Sequence, residues 1–285
     1  MNRGIILLLI AECCFAAATV FAKFVTNHAD IPATELTFFR VTIGVLITGL
    51  YMIKTGTSFI PNKFFWVIIR AIFSFTALIT FFYAVKFSSI TNANMLNMTY
   101  PVFIFLLAPV FRLERIKGAA LVFLIMAVIG IYLIVFPDFS NINKGDVVGL
   151  ISGITGAVAI IALSKARHYD STVLIVFYLM AIGSFINTIM VIPVFVMPGL
   201  RDLAILLISG IIGVTGQLLL TSGYKYITAR TGSMVSSSRI VFAAIFGFIF
   251  FSEPMTLKIV SGGILIIMAI VGINALQKFS TVDEE

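Results

Sequence analysis

The chain has 285 residues, 60% hydrophobic and 11% charged, with a formal net charge of +7 and a mean hydropathy of +1.14. That balance excludes a soluble globular domain, which could not hide so much apolar surface from water. The positive charge is read as basic residues at the ends of membrane spans, which set orientation, and not as a nucleic-acid surface.

A bilayer core needs about 20 apolar residues per helical span. Ten spans fit: 4–26, 34–53, 64–84, 89–111, 116–136, 147–165, 172–197, 202–222, 228–251 and 257–277. Barrel strands would be about half as long and would alternate apolar with polar, whereas runs such as 121–136 are unbroken.

Span 1 holds Glu12 about eight residues in, roughly 12 Å of helical rise from its start. At that depth an ionised carboxylate needs a partner, a water-filled cavity or a proton. Glu12 is therefore a candidate proton-coupling group or counter-charge for a cationic substrate, with a structural ion pair as the competing reading. A mid-span carboxylate and the length of the run also argue against a cleaved signal. Adjacent Cys13 and Cys14 read as packing residues. In spans 2 and 3, Arg40 and Arg70 lie about six residues from a span end and are expected to snorkel as structural groups.

Span 4 carries Asn92, Asn94, Asn97, Thr99 and Tyr100 just before Pro101. The proline removes a backbone hydrogen bond and frees a carbonyl near position 97. Asn94, Asn97 and Tyr100 recur at spacings of three and so share a face. Spans 6, 8 and 10 carry Gly149, Gly153 and Gly156, then Gly210, Gly213 and Gly216, then Gly262, Gly263 and Gly272, which read as sites of close helix packing. Gln217 in span 8 is a further polar candidate; Tyr83, Asn187 and Asn274 are weaker ones. Span 9 places Arg239 about eleven residues in, after Ser236, Ser237 and Ser238. Its planar, permanently charged fork suits a substrate carboxylate, or a buried acid such as Glu12.

The sequence repeats itself. LIMAVIGI at 124–131 returns as IIMAIVGI at 266–273, an offset of 142. Lys86 and Lys225, Met95 and Met234, and Glu114 and Glu253 are each 139 apart. Under that offset Tyr100 corresponds to Arg239 and Asn97 to Ser236, so both halves place polar groups at matched depth. Ordered matches at one period mark an internal repeat. The halves are 1–140 and 141–285, and five spans per half is an odd number, which inverts the second copy in the bilayer.

These features resemble the drug/metabolite transporter superfamily, in particular its ten-span EamA-type members with two five-helix repeats. The matching residues are Lys23 closing span 1, Phe39 and Arg40 early in span 2, Pro101 in span 4, and Leu113 with Glu114 after it. Ser252, Glu253 and Pro254 repeat the last feature. Span 9 departs from the pattern with Ile240 where Pro101 would align. The resemblance implies a carrier, with relatives that export amino acids, carry S-adenosylmethionine or import other metabolites.

The fold expected is an all-α membrane protein of ten transmembrane helices in two inverted five-helix repeats. With the N-terminus inside, Arg3, Lys54, Lys63, Arg112, Arg115, Lys117, Lys165, Arg167, Lys225, Arg230 and Lys278 face the cytoplasm, against Lys23, Lys86, Lys144, Arg201 and Lys258 outside. That excess places both termini in the cytoplasm and the protein in the inner (cytoplasmic) membrane.

The function expected is secondary transport of a small zwitterionic metabolite by alternating access around a midplane site. The site would comprise Glu12, Asn94, Asn97, Tyr100, Gln217, Ser236 and Arg239, with Glu12 also coupling protons. A multidrug or cation exporter centred on Glu12 is the alternative. An intramembrane enzyme lacks a membrane-depth histidine, clustered carboxylates or metal-ligand spacing, and a channel would need a continuous polar pore. No GxxxxGK[ST] pattern is present, so this chain does not itself hydrolyse ATP, and no cofactor, metal or nucleic-acid partner is expected.

Overall fold

A computed structural model describes residues 2–282 except 29–30, 89, 108–109, 112–117, 137–142 and 253. Every regular element among them is helical. Without water to take up backbone N–H and C=O groups, lipid favours the element that bonds them internally. The long helices are α1 (Arg3–His28), α2 (Ala33–Thr55), α3 (Phe64–Phe87), α6 (Gly118–Val135), α7 (Lys144–Ala166), α8 (Thr172–Val191), α9 (Leu200–Gly223) and α12 (Leu257–Val282). Among the described residues nine segments are long and apolar enough to cross a membrane, one of them the composite Ala229–Phe251.

The tenth expected span is present but interrupted. It forms α4 (Ile90–Asn97) and α5 (Tyr100–Leu107), parted at Met98 and Thr99. The break sets Pro101 in the first turn of α5, where its missing N–H costs nothing. Span 9 breaks too, at Ser237, into α10 (Ala229–Ser236) and α11 (Ser238–Phe251). Met98 and Ser237 are 139 apart, the offset of the repeat. No proline interrupts span 9, and three consecutive serines stand there instead. Hydroxyls of that kind compete with the helix for backbone partners.

The packing follows the repeat. Helix α3 lies on α7 and its counterpart α9 on α1, while α2 pairs with its counterpart α8 and α6 with its counterpart α12. Helix α4 packs on α7 as α10 packs on α1. Exchanging the halves thus maps this contact set onto itself, as across a two-fold interface. A shared apolar core of Ile5, Leu8, Leu163, Leu220, Tyr224, Val235 and Ile266 joins them. Outward, Leu50, Ile53 and Val271 stay exposed, as lipid-facing positions require.

Small residues set how closely the helices approach. A Cβ on Gly130 of α6 would lie 2.6 Å from the Gly262 carbonyl oxygen of α12, and one on Gly262 equally 2.6 Å from that of Gly130. A Cβ on Gly153 would lie 2.7 Å from the Leu96 carbonyl and the Thr99 hydroxyl, so this glycine sets α7 close beside the break in span 4. At the ends, polar anchors act. Asp170 accepts the backbone N–H groups of Asn62 (2.6 Å) and Lys63 (3.2 Å) at the start of α3. Asn143 and Asp146 cap α7 reciprocally, and the Ser88 hydroxyl at the end of α3 donates to Asp146 at 2.5 Å.

Gly130→Leu is expected to force α6 from α12 and to cost about 1–3 kcal/mol, as overpacking does. Gly118→Ala, with nothing within 4 Å of the new Cβ, is the control. Thermal unfolding of the detergent-purified variants checks this, and equal midpoints would contradict the contact.

Candidate functional site

The two broken helices meet at a cavity of about 260 Å³. Its polar lining comes from Thr19 of α1, Arg40 of α2, Arg70 and Ser74 of α3, Asn97 and Tyr100 at the first break, Gln217 of α9, and Ser236 and Arg239 at the second. Phe15, Gly156, Ala159, Ile160 and Leu220 complete the wall. Five of the seven residues expected from the sequence to form the site, Asn97, Tyr100, Gln217, Ser236 and Arg239, line it.

Behind that wall sits Glu12. Its carboxylate accepts a hydrogen bond from Arg239 Nε at 2.6 Å; the Glu12 side chain is 0% exposed and that of Arg239 36%, the latter facing the cavity. The pair joins α1 of the first half to α11 of the second. The other carboxylate oxygen, Oε1, is buried without a hydrogen-bond partner. Arg239 also lies over the Phe15 ring, Cζ 4.6 Å from its centroid, an attraction that reinforces its placement.

At the breaks the polar groups are ordered locally. Asn97 Nδ2 donates to Ser152 Oγ at 2.5 Å, and Ser152 donates onward to the Ala77 carbonyl at 3.0 Å. Tyr100 Oη donates to the Ser233 carbonyl at 3.5 Å, linking the two broken helices. The hydroxyls of Ser236, Ser237 and Ser238 are buried without partners. Asn94, one turn before Asn97 on α4, does not reach the cavity lining.

Two residues were misplaced by the sequence. Arg40 and Arg70, expected to snorkel outward, turn inward and line the cavity. Arg70 is only 6% exposed. Arg40 Cζ lies 5.0 Å from the same Phe15 centroid that Arg239 faces. The snorkelling rule weighs only distance along the span and ignores a polar space to the side. A signal existed in α9: a Cβ on Gly213 would lie 3.0 Å from Arg40 Nε, so that glycine leaves the channel through which the arginine enters. Tyr224, 2% exposed and packed on Gly232, was also missed; its hydroxyl is buried without a hydrogen-bond partner. Of the weaker candidates, Asn187 donates to the Thr34 carbonyl at 3.1 Å and Tyr83 is exposed, stacked on Phe87. Cys13 and Cys14 are free thiols. The Lys23 and Lys86 side chains and all of Glu114 and Glu253 lie outside the described residues.

A model of the EamA-like transporter family matches residues 2–136 and 143–275. The chain belongs to this family. It is a multi-pass membrane transporter of the drug/metabolite transporter superfamily with two EamA domains, and not an enzyme. The chain is 30% identical to the pseudopaline exporter CntI of Pseudomonas aeruginosa, with 98% of each covered. The S-adenosylmethionine uptake transporter of Rickettsia bellii is 21% identical, over 89% of this chain and 87% of that one. A crystal structure that shares 15% identity superposes with a TM-score of 0.80 over 96% of both chains, which shows the common fold.

The Glu12–Arg239 pair is expected to be energetically coupled. In a double-mutant cycle of Glu12→Gln and Arg239→Gln, the double variant should be more stable than the sum of the singles by about 1–3 kcal/mol. Thermal or denaturant unfolding in detergent measures it, and additive losses would show that the contact contributes nothing.

Proposed function

We propose that this EamA transporter is a secondary active carrier of a small metabolite bearing a carboxylate, of the zwitterionic kind that includes amino acids and relatives such as S-adenosylmethionine. The observation that carries the reading is the Glu12–Arg239 contact of 2.6 Å beside a polar cavity where both halves interrupt a helix. A substrate carboxylate competes with Glu12 for the Arg239 fork. Displaced from Arg239, the Glu12 carboxylate is left buried without its counter-charge. Glu12 thereby couples a proton to the substrate. Asn97, Tyr100, Gln217 and Ser236 hydrogen-bond the remaining polar atoms; Asn94 stands outside this set because it does not line the cavity.

The competition has a mechanical consequence. Glu12 belongs to the repeat 1–140 and Arg239 to the repeat 141–285, so their contact holds the halves together. Loosening it lets one half rock against the other around the cavity, which is alternating access. Each repeat contributes five spans, counting the interrupted ones, and the two are inverted in the inner membrane. The excess of basic residues supports both termini in the cytoplasm. Relatives named for export of pseudopaline and for uptake of S-adenosylmethionine support a small polar organic substrate. A cation exporter centred on Glu12 is less favoured, because Arg239 already neutralises that carboxylate.

The test is thermal stabilisation of the purified protein by methionine, S-adenosylmethionine and other amino acids beside their amides or esters, followed by uptake of the best binder into proteoliposomes. Zwitterions should stabilise while esters do not. Arg239→Lys should reduce affinity about tenfold or more. Glu12→Gln should abolish the dependence of uptake on a pH gradient. Stabilisation by amphipathic cations alone would instead establish the exporter alternative.

A further inference from the structure

We infer that the cavity takes a substrate with two carboxylates, one seated at Arg239 and the second taken by the guanidiniums left without a counter-charge, Arg40 and Arg70. The inference rests on the reading of this cavity as the transport site and narrows its substrate class.

The charges do not balance. Three guanidiniums line the cavity and a single carboxylate, Glu12, answers one of them. Among the described residues neither Arg40 nor Arg70 has an ion-pair partner, and Arg70 Nε is buried without any hydrogen bond. A buried guanidinium is strongly unfavourable without an opposing charge. The neighbouring hydroxyls do not relieve it. Ser74 donates to the Arg70 carbonyl at 2.5 Å and Thr19 to the Phe15 carbonyl at 2.9 Å, and among the described residues neither hydroxyl accepts a hydrogen bond from Arg40 or Arg70; a neutral hydroxyl would in any case leave their charge unanswered. Gln217 presents a further unpartnered donor, Nε2. The open valences of this wall are donors, and what completes them is a set of acceptors.

The geometry brings two of these donors together. The Phe15 ring has Arg239 Cζ at 4.6 Å and Arg40 Cζ at 5.0 Å from its centroid. One aromatic ring thus holds two like charges in place that would otherwise repel. Gly213 leaves room for the Arg40 stem. Carboxylates fit better than phosphates on two counts: Arg239 already presents its Nε to the Glu12 carboxylate, and about 260 Å³ lies below the roughly 300 Å³ at which ordinary ligand pockets begin. An acid of the size of iminodiacetate fits within it.

Sarcosine and iminodiacetate make the test, since they share an N-substituted glycine and differ by one carboxylate; phosphoserine is the third probe. Binding to the purified full chain is measured by calorimetry in metal-free buffer. Iminodiacetate should bind about tenfold or more tightly than sarcosine, the effect of one added charge-assisted contact. That ratio should collapse towards one in Arg40→Gln and in Arg70→Gln, and be largely restored in Arg40→Lys. If Arg70→Gln fails to fold, as judged by gel filtration, Arg40→Gln carries the test. A ratio near one in wild type, or an unchanged ratio in Arg40→Gln, overturns the second subsite and leaves the carrier reading standing. Tighter binding of phosphoserine overturns the choice of carboxylate. Absence of binding by all three overturns the inference, and the carrier reading is then judged on its own by the amino-acid and S-adenosylmethionine screen.

Discussion

A carboxylate with no exposed surface and a guanidinium at the wall of a polar cavity hold the centre of this molecule. Removed from water, each charge is costly alone, and their contact compensates only in good geometry. That requirement fixes helix α1 against α11, one from each half. Phe15 and Thr19 follow Glu12 at spacings of three and four, so one face of α1 offers an acid, a ring and a hydroxyl in succession. Phe15 then gathers two guanidiniums from different helices around a single ring. The placement of the polar wall follows from the one buried pair.

Breaking two helices in a membrane protein frees backbone groups that lipid cannot satisfy. Here both breaks fall beside the cavity, where polar side chains and space exist to receive them. The two halves reach the same result by different chemistry, a proline after a polar turn in one and three serines in the other. Identity of residue is not what the repeat preserves. It preserves the depth at which the helix stops being regular.

Much of this was written in the sequence. The spans, the repeat offset and the pairing of Asn97 with Ser236 and Tyr100 with Arg239 all follow from apolar run lengths and numbering. The interruption of span 9 did not, because Ile240 replaces the expected proline and serine runs break helices only in context. Arg40 and Arg70 were hidden for a different reason. Depth along a span is a one-dimensional quantity, while the direction of a side chain depends on what the neighbouring helix leaves open, in this case Gly213 of α9. Lateral information of that kind is carried by glycines on a partner helix far away in the chain.

Where Gly130 and Gly262 meet, the main chains of α6 and α12 touch with no side chain between them. Contacts of this sort have no rotamers to adjust and little slack to compress. Any rearrangement of the bundle must leave that seam intact and find its compliance elsewhere. In the proposed cycle the seam stays fixed and the two interrupted helices yield.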